Sequence, residues 1–291
     1  MKTAAIIGAR SMLGSQLIER LNARGVATIM IGRSTDDDIY FDLRSERAII
    51  QNGFRADVVF HCAASFFGDD DDGVRQNFSM NAASALPVAD LVQQLDAKTL
   101  IYAGSIFSDP TLGRGNFTSY GLTKGLAEQV MSWALERKNK LFSSLRFAQL
   151  YDTAGCCCGH QPWFGRVIAY ASDGKDMRMP RSDGVRNFLH VRDAAEMMIQ
   201  AAICGTTGIL NVVHPESLTF EEIAHIAYEV FGEGGKVVIA PEKPPFRPIH
   251  FPHAAETFER LGLGPAIGMR QGINMIRDAG TVKAFGPMDI T

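Results

Sequence analysis

Residues 3 to 31 hold the chain's most constraining pattern. A wholly apolar run, Thr3 to Gly8, passes straight into Gly8-Ala9-Arg10-Ser11-Met12-Leu13-Gly14. An amphipathic stretch to about Arg24 follows, and then a second apolar run, Val26 to Ile31. Short apolar runs of this kind are strands buried on both faces, as in parallel sheets. Gly8 permits a tight turn, and Gly14 permits close packing of helix on strand. The amides at the helix start, around Ser11, Met12 and Leu13, offer donors to a pyrophosphate. Strand, glycine loop, helix and strand in this order predict a dinucleotide-binding unit. Ser11 stands where a middle glycine is usual, so a strand-to-helix turn that binds nothing is the competing reading.

The end of the second strand bears on which dinucleotide. A carboxylate there would bond the ribose hydroxyls of NAD and repel a 2'-phosphate, but the chain has Gly32-Arg33-Ser34. Arg33 offers a charge-assisted fork and Ser34 a hydroxyl. Arg10, inside the glycine loop, could reach the same phosphate from the other side. NADP is the expected cofactor and NAD the alternative, since Asp36 to Asp38 complicate the field. Ile39 to Leu43 reads as a third strand, with Asp42 and Leu43 at its end and Asp42 an acceptor for an adenine amino group. A helix is expected over about Ser45 to Asn52, then an apolar strand from Asp57 to Cys62. Ala63 and Ala64 follow it, small enough for a backbone to approach a flat ring. His61 reads as a packed strand residue, and Asp69 to Asp72 as a solvated loop. Val74 to Leu95 is expected as one long helix, in which a buried Asn81 would bond a neighbouring strand's backbone.

Thr99 to Ala103 is the next strand and ends in Gly104 and Ser105. Chemistry in a doubly wound sheet collects at the carboxyl ends of strands, so Ser105 is well placed. Tyr120 and Lys124 lie four residues apart on a helix expected to run to Lys138, which sets both side chains on one face. A phenol loses its proton at about pH 10, and a nearby ammonium favours the phenolate. Ser143 to Tyr151 reads as a further strand. The alternation predicts an α/β chain with a parallel sheet.

Composition narrows the function. At 291 residues the chain accommodates one large domain with a smaller companion. A formal net charge of -3 gives no case for nucleic acid or an anionic membrane. No run approaches the length of a membrane span or a signal peptide. Five cysteines, with Cys156 to Cys158 consecutive, fit free thiols in a reducing cytoplasm better than a disulfide framework or a zinc site. No metal is expected.

The glycine loop, Ser105 and the Tyr120/Lys124 pair together resemble the short-chain dehydrogenase/reductases. Arg186-Asn187-Phe188-Leu189-His190-Val191-Arg192-Asp193-Ala194-Ala195 resembles the R-x-F-x-H-V-x-D-x-A segment of the extended, epimerase/dehydratase branch. Asn211-Val212-Val213 and Ser217 to Ala224 resemble that branch's later stretch. The resemblance implies a Rossmann-type doubly wound sheet with a smaller C-terminal substrate-binding lobe. The expected division is 1–152, with 187–214 returning to it, against 153–186 and 215–291. By the same resemblance, Tyr120 is the general acid/base, Lys124 holds the nicotinamide ribose and lowers the phenol's pKa, and Ser105 bonds the substrate oxygen. Arg186 matches a position that holds a sugar-nucleotide diphosphate, with a salt bridge between lobes as the alternative. Gln149 stands where many relatives carry Asn at the substrate. Asp193 is expected to be an N-cap, His190 to be structural, and Trp163 and Phe164 to be pocket wall or core.

Ile106 and Phe107 follow Ser105 where sugar 4,6-dehydratases carry two acids, which disfavours elimination of water. Reduction of a 4-keto group on a nucleotide-linked sugar is the expected reaction. Epimerisation, reduction of a non-nucleotide carbonyl and a non-catalytic dinucleotide sensor are the alternatives, in that order. A homodimer through the helices Val74 to Leu95 and Ser119 to Lys138 follows from the resemblance.

Overall fold

In the computed structural model, which describes residues 1–48, 50, 53–112 and 116–286, the apolar runs become short strands separated by helices. The order begins β1 (Thr3–Ile7), α1 (Met12–Asn22), β2 (Ala27–Gly32), β3 (Ile39–Tyr40) and β4 (Val58–His61). Next, α2 (Asp71–Asn77) passes through a π-helical turn, Phe78–Ala83, into α3 (Ala85–Gln94). β5 (Thr99–Ser105), α4 (Ser119–Glu136), β6 (Leu141–Phe147), β7 (Gln149–Tyr151), α5 (Pro162–Ser172) and β8 (Met177–Met179) follow. The remainder is β9 (Phe188–His190), α6 (Val191–Cys204), β10 (Gly208–Val212), α7 (Phe220–Phe231), β11 (Val237–Ile239), α8 (Ala255–Leu261) and α9 (Met269–Ala279).

Seven strands form one sheet in the order β10-β6-β5-β4-β1-β2-β3, and every neighbouring pair is parallel. From β1 the chain winds outward to β2 and β3 on one side, and through β4 to β5 and β6 on the other. The carboxyl ends beside β1 and β4 are therefore a topological switch point, the usual ligand crevice of such sheets. β5 runs in register with β6 from Thr99↔Leu141 to Ser105↔Phe147, which sets Ser105 at that edge. Ala5, Ile7, Val59, Leu100 and Tyr102 pack with Val88, Leu91 and Val92 of α3 and with Ala127, Met131 and Leu135 of α4.

The chain divides into two compact units. Met1–Phe147, Ala194–Val212 and His253–Gly264 form the first, which contains the large sheet. Ala148–Asp193, Val213–Pro252 and Pro265–Thr291 form the second, which holds the parallel pairs β7-β9 and β11-β8. Thr219 caps α7 through a complete capping box with Glu222.

Four expectations are corrected. The helix expected over Ser45 to Asn52 is absent from its described residues, where the chain turns and bends; Ile49, Gln51 and Asn52 lie outside them. The Asp42 carboxylate accepts the Arg44 amide at 2.9 Å, a local bond that competes with a helical start. The acidic run is no loop: Asp70 caps α2 by accepting the Gly73 amide, and Asp71 and Asp72 occupy its first turn, where carboxylates complement the helix dipole. The helix expected from Val74 to Leu95 begins earlier and is interrupted by the π turn around Asn81. Ser143 to Tyr151 is two strands, because at Gln149 the backbone leaves the large sheet and its amide donates to Asn187.

Candidate active site

Gly8 adopts φ +80°, a conformation that side chains rarely allow. A Cβ there would lie 2.7 Å from the Ala63 nitrogen, so the loops after β1 and β4 meet backbone to backbone. A Cβ on Gly14 would collide with the Gly8 carbonyl, which explains the second glycine. Ser11, at the usual glycine position, has φ -72° and caps α1 by accepting the Gly14 amide at 3.0 Å. The loop therefore needs no glycine at that point. The amides of Met12 and Leu13 in the first turn of α1 have no intrahelical acceptor and stand ready for an anion. This flat cradle at a helix start fits a dinucleotide.

At the end of β2, Arg33 is exposed and makes no hydrogen bond or ion pair among the described residues. Arg10 differs. Its Nε donates to Asp37 at 3.0 Å, and its Nη2 lies 3.6 Å from Asp36. Asp37 also accepts the Ser34 amide, and Asp38 accepts the Met30 amide at 2.8 Å, so two of the three acids are already engaged by the backbone. Asp42 serves its own turn, Leu43 is a core side chain, and Ala64 is exposed beside Ala63.

Tyr120 and Lys124 lie in the first turns of α4, which Thr118 caps. Lys124 is 2% exposed, donates to the Ala103 carbonyl at 2.7 Å, and sits 4.0 Å over the Tyr102 ring. Burial lowers its pKa to about 7, against the pull of Glu128 and Cys62 toward the charged form. The Tyr120 phenol is pushed up to about 12 by burial, only partly offset by its hydrogen bond with Ser105. The expected lowering by Lys124 is not what the cofactor-free fold has: desolvation outweighs the Ser105 bond and the phenol is raised. Ser105 accepts the Phe107 amide at 3.2 Å, which fixes its hydroxyl beside the phenol. His61, its ring centroid 5.1 Å from that of Tyr102 and tilted by 38°, is a packed strand residue held neutral, its pKa lowered to about 3 by burial and by Lys124.

Two buried amides underpin this turn. Asn81 holds both the amide and the carbonyl of Ser65 and donates to Thr123. Asn77 bonds Ser65 and Phe67 and donates to Ser119. Asn81 thus bonds backbone as expected, but that of the loop after β4 rather than that of a strand. The role of Asn77 was missed, and its only sequence signal is the four-residue spacing from Asn81. Glu128 was also missed: one turn beyond Lys124, it takes Arg146 through both carboxylate oxygens and accepts from Ser144 at 2.6 Å.

In the second unit, Arg186 is buried, its guanidinium 5.4 Å from the Phe220 ring and 5.7 Å from Phe246. It donates to the Val185 carbonyl and has no carboxylate partner among the described residues. Gln149 is buried and donates to Gln161 at 2.8 Å. Trp163 packs edge-on against Phe246, whereas Phe164 is core, wedged among Tyr151, Phe188 and Phe285. Asp193 is inside α6 rather than at its cap. Its carboxylate accepts the Ala266 and Ile267 amides, while the His190 imidazole accepts the Arg192 amide at the helix start. Asp152 holds the amides of Ala154, Cys156 and Cys157, and all the cysteines are free.

The sequence matches the model of the NAD dependent epimerase/dehydratase family over residues 4–212. Solved structures with the same fold include UDP-N-acetylglucosamine 4-epimerase from Bacillus cereus, at 19% identity and TM-score 0.78, covering 100% of this chain and 99% of that one. RMD from Pseudomonas aeruginosa complexed with NADPH aligns at 14% identity and TM-score 0.77, covering 97% and 100%. UDP-glucose 4-epimerase from Thermus thermophilus in complex with NAD aligns at 19% identity and TM-score 0.71, covering 97% and 98%. A search of the curated proteins finds no match.

Proposed function

Because the chain belongs to the NAD dependent epimerase/dehydratase family, we propose that it is an NADP-dependent oxidoreductase reducing the 4-keto group of a nucleotide-linked sugar. The protonated phenol carries this reading. Tyr120, pushed up to about 12 beside Ser105, is a proton donor at any working pH. A bound nicotinamide supplies the hydride. Ser105 bonds the substrate oxygen and steadies the alkoxide, and Tyr120 gives up its proton to it. Lys124, one helical turn along, holds the ribose and counters the negative charge left on the phenol.

Arg33, exposed and without a partner among the described residues at the end of β2, supports NADP over NAD. Arg186 supports a diphosphate-bearing substrate, because a buried cation without a carboxylate partner is costly until an anion neutralises it. Ile106 and Phe107 after Ser105 argue against dehydration. A homodimer through α2, α3 and α4 belongs to the same reading, supported by exposed Phe78, Leu86, Leu122 and Trp133 on and between these helices. So does a cytoplasmic setting, supported by the free cysteines. No helix among the described residues is long and apolar enough to cross a membrane.

The test is NADPH consumption with a panel of 4-keto nucleotide sugars. Net oxidation is expected; interconversion of sugar epimers without net oxidation would replace reduction by epimerisation. Arg33→Ala should weaken NADP binding roughly tenfold to a hundredfold, the scale of a lost charged hydrogen bond, and leave NAD unaffected. A wild-type preference for NAD would remove the Arg33 argument.

A further inference from the structure

Phe66 is not explained by the cofactor loop, the proton donor or the packing of the sheet. It follows β4 in the loop 63–67, and it is 51% exposed. Its ring stands edge-on to the ring of Tyr120, centroids 4.7 Å apart at 71°. Exposed aromatics occur elsewhere on this surface, but this one packs on the half-buried tyrosine that is the proposed proton donor.

The loop that presents it is also fixed unusually well. Asn81 grips the Ser65 backbone through both its amide and its carbonyl. Asn77 grips the Ser65 hydroxyl and both polar groups of the Phe67 backbone. The same two amides reach α4 at Ser119 and Thr123, the residues immediately before Tyr120 and Lys124. Phe66 therefore sits between two backbone clamps, tied to the turn that carries the proton donor. Asn81 projects from a π turn, a distortion frequent at functional sites.

We propose that Phe66 is a specificity-determining residue, an apolar wall against which the substrate lies while its carbonyl bonds Ser105 and Tyr120. A flat aromatic face gains dispersion contact from the C–H face of a saturated six-membered ring. A hydrated open chain presents no such face. The wall selects a cyclic ketone of pyranose size over an acyclic carbonyl compound. This inference rests on the keto-reductase reading and assigns the residue that reads the substrate ring.

The experiment is ligand-observed saturation-transfer NMR on NADP⁺-loaded protein. Tetrahydropyran-4-one serves as the ring ketone and dihydroxyacetone as the open one. Wild type and Phe66→Tyr should bind the ring ketone in preference. Phe66→Ala should lose roughly tenfold in affinity for it, the scale of one aromatic contact, with NADP⁺ affinity unchanged. Equal binding of the ring ketone by wild type and Phe66→Ala, or no ring preference in wild type, overturns the proposal. Joint loss of both ketones and cofactor in Phe66→Ala also overturns it, since that marks a structural role. Failure of the reductase reading appears separately, as absent NADPH consumption by a wild type that still prefers the ring.

Discussion

Lys124 is held at a cost that can be measured without any substrate. Its pKa falls from 10.5 in the open chain to about 7 in the fold, chiefly through burial. Between these values the unfolded chain binds a proton that the native state does not, so stability rises with pH across the window and is lost as pH falls toward 7. At about 1.36 kcal/mol per pKa unit, the cost at pH 7 is roughly 4 kcal/mol, and raising the pH from 7 to 8.5 recovers roughly 1–2 kcal/mol. Replacing the ammonium by a thioether of similar length removes that cost and forfeits the bond to Ala103, worth about 1 kcal/mol. Cofactor-free Lys124→Met should therefore be more stable than wild type at pH 7 by roughly 3 kcal/mol, while losing activity. Urea unfolding at pH 7.0 and 8.5 checks both numbers. His61, lowered to about 3, acts below this window, and Cys62, raised to about 12, opposes the trend only above about pH 9. A wild-type stability that stays flat or falls from pH 7 to 8.5, or a Lys124→Met protein less stable than wild type at pH 7, would refute the desolvation argument.

Other outcomes follow from the same geometry. His61 binds a proton only in the unfolded chain between its ordinary pKa and about 3, so wild-type stability should fall by about 1.36 kcal/mol per unit as pH drops below about 6.5. His61→Leu should flatten that acid limb in urea titrations, and an unchanged slope would assign the limb to other groups. Tyr120→Phe should cut turnover by roughly a hundredfold or more while NADP⁺ binding stays near wild type; surviving turnover would remove the proton-donor role. Gly14→Ala drives a methyl group into the Gly8 carbonyl. It should destabilise the fold by roughly 1–3 kcal/mol and weaken cofactor binding, whereas a neutral effect in calorimetry would mean the loop can open.

The centre of the large sheet was legible because β1 and β4 are buried on both faces, so each shows as a nearly unbroken apolar run, and because Gly8 and Gly14 do steric work that no other residue could do. Ser11 looked like a defect, but a cap needs a hydroxyl and an ordinary φ, both of which serine supplies. Where local polar bonds decide the backbone, the pattern misled: Asp42 turns the chain that should have become a helix, and Asp70 starts a helix where a loop was expected. Phe66 carried no signal, since exposure of an aromatic is a property of the folded surface. The phenol is the sharpest case. Spacing says that Tyr120 and Lys124 share a helix face, which suggests charge stabilisation; only the fold shows that Lys124 spends its hydrogen bond on Ala103 and that both groups are desolvated. Two buried groups of this kind drift apart, the acid upward and the base downward, so without cofactor each is biased toward neutrality. An anionic phenol then needs something that re-polarises Lys124. With a pKa of about 7 the lysine is only partly charged near neutral pH, so cofactor groups that accept a hydrogen bond from it would shift it toward the charged form, coupling proton transfer to cofactor binding by burial rather than by any moving part.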